Sequence, residues 1–91
     1  MAIVSITLRI MPKEAEINLS EIVEEVKSKI SEYAKTSHIR TEIEPIAFGL
    51  NALKIIFTMD ENKNLETLEN SIRENPDIAS VEAIDVRRAI G

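Results

Sequence analysis

Cysteine and tryptophan are absent from the 91 residues, glycine occurs only at positions 49 and 91, and Tyr33, Phe48 and Phe57 are the whole aromatic complement. Each scarcity removes a class of function. Without Cys there is no disulfide framework, no thiolate zinc site and no cysteine nucleophile, which fits a reducing cytoplasm. Glycines so far apart cannot build a phosphate-cradling loop. So few aromatics leave little for base stacking. Sixteen acidic against eleven basic residues give a net charge of −5, which opposes both phosphate-backbone binding and docking on anionic lipid. No apolar run approaches the ~18 residues of a membrane span, and the N-terminus lacks the basic start and apolar block of a secretion signal. The expectation is a cytoplasmic protein of one domain, residues 1–91, with an aliphatic core. It contacts neither nucleic acid nor membrane directly, suits a basic or mixed-charge partner, and is monomeric by preference.

What is present is strong patterning. Val4, Ile6, Leu8 and Ile10 alternate with Ser5, Thr7 and Arg9, the period of a strand with one buried face, and Met11-Pro12-Lys13 closes it. Asn18 or Ser20 caps a helix whose apolar stripe is Leu19, Ile22, Val23, Val26, Ile30 and Tyr33. Glu25 and Lys29 stand at i,i+4 spacing on its wet side. Residues 38–46 read as a charged second strand with Pro45 at its end or on a sheet edge. Residues 50–59 read as a third strand in which Leu53, Ile55, Phe57 and Met59 share a face. Asn64 caps a shorter helix with the stripe Leu65, Leu68 and Ile72 and an i,i+4 pair Glu69–Arg73, and Asn75-Pro76-Asp77 stops it. Ile78 to Arg88 alternates again, with Val81 and Ala83 on one face and Ile84, Val86 and Arg88 on the other.

The order β-α-β-β-α-β predicts an α+β, ferredoxin-like sandwich: a four-stranded antiparallel sheet with two helices on one face. The open face is expected to carry Thr7, Arg9, Arg40, Lys54 and either Arg87 or Arg88.

Little of this carries catalytic chemistry. His38 is a lone histidine in a strand, without ligands at metal spacing, and reads as a surface residue. Glu24-Glu25 and Asp60-Glu61 sit where caps and turns favour acids. An enzyme is not expected, nor a cofactor or metal. Two features exceed what a core demands. One is the Pro45-Ile46-Ala47-Phe48-Gly49 junction. Asn-Gly would suffice for reversal alone, so the ring either makes a presented contact or folds back to cap the core. The other is Asp85-Val86-Arg87-Arg88, two adjacent cations that serve either an edge-blocking role or a partner.

At these two places the sequence resembles a known family. Glu44-Pro45-Ile46-Ala47-Phe48-Gly49-Leu50-Asn51-Ala52-Leu53 is similar to the signature of the guanine-nucleotide exchange domain of translation elongation factor 1-beta, and Val81 to Arg88 resembles the ending of its archaeal branch. The resemblance spans essentially the whole chain. It implies an exchange factor that promotes GDP release from elongation factor 1-alpha, without the N-terminal partner-binding region of eukaryotic members. It implies partner contact at Phe48, Gly49, Pro45 and Ala47, and it sets Arg87 and Arg88 where eukaryotic members place a lysine near the nucleotide's Mg²⁺ and phosphates. A guanidinium there is a departure from a compact ammonium, and Ala89-Ile90-Gly91 lengthens the tail. The competing expectation is a small-molecule-sensing regulatory module of the same fold. An RNA-recognition module would need aromatics on the first and third strands.

Overall fold

The computed structural model describes residues 2–89, with the Ala89 side chain excluded. The tail extension at Ile90-Gly91 lies outside the described residues. The elements are β1 (Ile3–Pro12), α1 (Leu19–Ala34), β2 (Ile39–Pro45), β3 (Asn51–Asp60), α2 (Leu65–Arg73) and β4 (Ile78–Ala89). They form one antiparallel sheet in the order β2-β3-β1-β4. The ferredoxin-like arrangement is therefore present.

Alternation sets the core. Ile6, Leu8 and Ile10 of β1 and Leu53, Ile55, Phe57 and Met59 of β3 are buried against Ile22, Val26 and Ile30 of α1 and Leu68 and Ile72 of α2. Among the described residues no polar or charged side chain is fully buried. Burying each of these large side chains contributes about 1.5–3 kcal/mol. β1 runs two residues further than its alternation suggests, because Met11 and Pro12 still pair with Ser80 and Ile78.

Asn18, not Ser20, caps α1: its side chain accepts the Ser20 N–H at 3.0 Å. Asn64 caps α2 by accepting from the Glu66 and Thr67 N–H groups. The expected i,i+4 pairs do not form. Lys29 Nζ instead donates to the Ser71 carbonyl at 2.6 Å, and Glu25 accepts from Asn75 Nδ2 at 2.6 Å. Arg73 donates to Asn70 Oδ1 and to the Val81 carbonyl. Main-chain carbonyls at the C-terminal end of α2 and at β4 are better acceptors for these cations than a mobile carboxylate one turn away.

β4 departs from simple alternation. Leu8 lies opposite Ala83 and Thr7 opposite Asp85, so Ile84 is an extra residue in a β-bulge. The bulge reverses the phase. Val86 and Arg88, opposite Ile6 and Val4, join Val81 and Ala83 on the helix-bearing face, and Arg87, opposite Ser5, lies on the open face. The expected grouping of Ile84 with Val86 and Arg88 is corrected accordingly.

The Asn64 cap yields a direct test. Asn64→Ala is expected to lower the unfolding free energy by about 1 kcal/mol, with Asn64→Asp near neutral, as read from urea titrations.

Candidate functional site

The β2–β3 junction is a tight turn. Pro45 lies opposite Asn51, the Ile46 N–H donates to the Leu50 carbonyl at 2.8 Å, and the Leu50 N–H donates back to the Ala47 carbonyl at 3.0 Å. Phe48 and Gly49 are the central residues of that last turn, with φ of 55° and 78°. Two successive positive φ values are the pattern of a type I′ turn, which Asn-Gly fills without strain. A phenylalanine in that conformation is an outlier and costs on the order of 1 kcal/mol. Gly49 relieves the second position. A Cβ there would meet only Ala15 Cβ, at 4.0 Å, so its role is conformational rather than spatial.

The strain is not repaid by packing. Phe48 is 98% exposed, and Pro45, Ala47 and Gly49 are exposed beside it. The alternative of a ring capping the core is thereby excluded. Ile46 and Ile43 add exposed apolar surface next to it.

The strand leading into the turn is tied down on the open face. Arg9 Nη2 of β1 approaches Glu44 Oε1 of β2 at 3.3 Å, reaching across β3. Ala52, opposite Glu44, is wholly buried although it belongs to that face. A small residue there leaves room for the two long side chains to meet. Arg9 Nε and Glu44 Oε1 are buried with no hydrogen-bond partner, so the contact is ionic.

The arginines occupy the opposite end of the sheet. Leu53, just past the turn, lies opposite Ile10 of β1, whereas Arg88 lies opposite Val4. Val4 and Ile10 are six residue steps apart along β1, about 20 Å, in a molecule 42 Å long. Arg88 Nη2 pairs with Glu61 Oε2 at 2.8 Å on the helix-bearing face. Arg87 Nε pairs with Asp85 Oδ2 at 3.0 Å. Their side chains remain 72% and 79% exposed, so each ion pair contributes at most about 1 kcal/mol.

The structure thus does not gather the sequence-singled residues into one site. Phe48, Gly49, Pro45 and Ala47 form one end, Arg87 and Arg88 the other, and the two arginines face opposite sides of the sheet. Asp85 was legible as a partner by its i,i+2 spacing to Arg87. Glu61, 27 residues from Arg88, and the Arg9–Glu44 anchor were not. His38 is exposed, and among the described residues no group of three or more His, Cys, Asp or Glu could hold a metal ion. A cleft between the helices is lined by Lys29, Tyr33 and Ser71, but Lys29 is committed to the Ser71 carbonyl and the Tyr33 hydroxyl to the Asn64 carbonyl.

The profile of the family described as EF-1 guanine nucleotide exchange domain matches residues 5–89. A protein of Methanosphaera stadtmanae named Elongation factor 1-beta is 37% identical over 89 residues, covering 97% of this chain and 98% of that one. One of the same name from Hyperthermus butylicus is 37% identical over 91 residues, covering 97% and 96%. Among solved structures, the C-terminal domain of the MgtC protein from Mycobacterium tuberculosis superposes with a TM-score of 0.61 at 13% identity, covering 96% of this chain and 88% of that one. The chain titled BlrP1 BLUF gives 0.59 at 14% identity, and this chain covers 57% of it. These two likenesses concern the fold alone. No described helix is long and apolar enough to cross a membrane.

The turn geometry carries a prediction about stability. Phe48→Asn is expected to raise the unfolding free energy by about 0.5–1 kcal/mol, because Asn tolerates the left-handed conformation and no buried contact is lost. Chemical denaturation measures this. A loss of stability would mean that the ring supports the fold.

Proposed function

This chain belongs to the family of EF-1 guanine nucleotide exchange domains, and from that premise we propose that the GTPase it acts on is elongation factor 1-alpha, from which it promotes release of GDP so that GTP can rebind. Guanine nucleotide exchange in translation elongation is the role of the family. The choice of target, the residues and the mechanism are the proposal, with residues 1–91 acting as one exchange domain. The observation that carries it is Phe48, a fully exposed ring held in a strained turn. Such a ring is unfavourable for the isolated fold and favourable only against a partner.

Exchange needs no acid, base or metal from this chain. A factor that binds the nucleotide-free GTPase more tightly than the GDP-bound form weakens GDP by the same coupling free energy. Phe48 supplies the apolar anchor. Pro45 ends the strand, Ala47 accepts the turn's hydrogen bond and Gly49 holds the second left-handed position, so that the ring is presented without searching rotatable loop conformations. At the far end, Arg87 or Arg88 meets the region of the nucleotide's phosphates and Mg²⁺. A guanidinium forks onto two phosphate oxygens where an ammonium would act as a point charge. Because the two ends are separated along the sheet, the GTPase lies along the long dimension of the molecule and is gripped at one end while its nucleotide site is disturbed at the other.

The direct assay follows release of a fluorescent GDP from an archaeal elongation factor 1-alpha after a chase with unlabelled nucleotide. Substoichiometric protein is expected to accelerate release, and no acceleration would turn attention to a small-molecule module of this fold. Phe48→Ala is expected to keep the melting temperature and to lower exchange at least tenfold, about 1.4 kcal/mol. Loss of folding in this variant would remove Phe48 from the site.

The arginines are separated by single substitutions. Since they face opposite sides of the sheet, either Arg87→Ala or Arg88→Ala alone should reproduce most of the double variant's slower release, with complex formation little changed. Equal losses in release and in complex formation would make them docking residues only.

A further inference from the structure

The open face of the sheet carries a cleft at the end away from Phe48. The strand registers order its side chains into rows. Thr58 of β3 lies opposite Ser5 of β1, which lies opposite Arg87 of β4. In the next row Arg40 of β2 lies opposite Ile56, and Ile56 opposite Thr7. β2 begins only at Ile39, so the chain arriving from α1 takes its place beside Thr58. There the Thr36 and Thr58 hydroxyls bond at 2.9 Å, and the His38 N–H donates to Thr36 Oγ1 at 3.0 Å. The cleft so formed has a volume of about 400 Å³, and its lining includes Ser5, Ser37, His38, Arg40, Ile56 and Thr58.

Its chemistry is one-sided. Sixteen of the 91 residues are acidic, yet among the described residues no carboxylate lines this cleft. Glu32 lines the cleft between the helices, and Asp60 lines the one beside Lys35. Two acids on neighbouring positions of the open face are already matched: Glu42 lies opposite Lys54, and Asp85 pairs with Arg87. Arg40 is exposed and, among the described residues, in no ion pair. The Thr36–Thr58 bond works in either direction. When Thr36 donates, the Thr58 proton is left for the cleft, beside the hydroxyls of Ser5 and Ser37. An uncommitted guanidinium among hydroxyl donors suits a phosphate: the fork takes two oxygens and the hydroxyls take others. The half-buried Ile56 adds apolar surface, and the volume is that of a small-molecule cleft rather than of a bare anion.

We propose that this cleft binds a small phosphate monoester, with Arg40 on the phosphate, Ser5, Ser37 and Thr58 as hydroxyl donors, and Ile56 against the carbon part of the ester. The net charge of −5 does not forbid this. It opposes a long phosphate backbone, whereas one monoester responds to the groups around it, since the Debye length at physiological salt is only about 8 Å. Arg40 is solvent-screened, so the affinity is modest, with a dissociation constant on the order of a millimolar. The site is separate from the Phe48 turn and needs no GTPase, so it stands or falls apart from the exchange reading.

Amide chemical-shift titrations of the intact chain test this, with inorganic phosphate and phenyl phosphate as probes and sodium chloride at matched ionic strength as the control. Both probes are expected to give saturable shifts centred on Ser5, Ser37, Arg40 and Thr58, with phenyl phosphate the tighter through Ile56. Arg40→Ala should weaken binding at least about tenfold, and Ser5→Ala should weaken it less. Thermal melts of each variant separate loss of binding from loss of fold. Shifts that match the chloride control overturn the proposal. So do shifts centred on Arg87 and Arg88 that survive Arg40→Ala, which would place the anion on the β4 cations instead. Equal affinities for the two probes overturn the assignment to an ester.

Discussion

β1 lies between β3 and β4 and pairs with both along nearly its whole length. Every other placement follows from those two ladders. They fix which face of each strand meets the helices, and the aliphatic seal of Ile6, Leu8 and Ile10 against Leu53, Ile55 and Phe57 makes any one-residue slip prohibitive, since it would turn a whole buried set to water. Among the described residues the core buries no polar or charged side chain. The groups left over for the proposed function are those at the ends and edges of the ladders.

At one end that is a turn built against its own interest. The left-handed backbone of Phe48 opposes folding by on the order of 1 kcal/mol, small beside the 5–15 kcal/mol of a typical domain, and its exposed ring contributes nothing to offset it. The chain can therefore carry the strain without losing its fold. The Arg9–Glu44 contact across β3 links the strand that delivers the turn to β1, which under the proposed function would present the ring from an ordered base. Rigid presentation limits the ordering entropy lost on binding.

The cations divide into two classes by their acceptors. Lys29 and Arg73 are committed to main-chain carbonyls that tie α1, α2 and β4 together. Among the described residues Arg87 and Arg88 are held by one carboxylate each, the partly exposed Asp85 and Glu61. Such pairs exchange readily for a stronger anion, because screening by water leaves little to lose.

The sequence by itself determined the element order, the helix cap at Asn64, the core faces of β1, α1 and β3, and the junction at Phe48, and it narrowed the α1 cap to Asn18 or Ser20. These rest on periodicity and on interactions between residues a few positions apart, which the chain writes locally. It also marked Arg87 and Arg88 as unneeded by the core. Only the tertiary structure decided that Phe48 stands away from the core, because exposure depends on the loops beside the turn. The bulge at Ile84 belongs to that class too: the mismatch exists only between β4 and β1, and it alone sends Arg87 and Arg88 to opposite faces. The same holds for the ionic contact of Arg9 with Glu44 and for the distance between the two ends. Pairing between segments far apart in sequence sets them, and no local pattern encodes it.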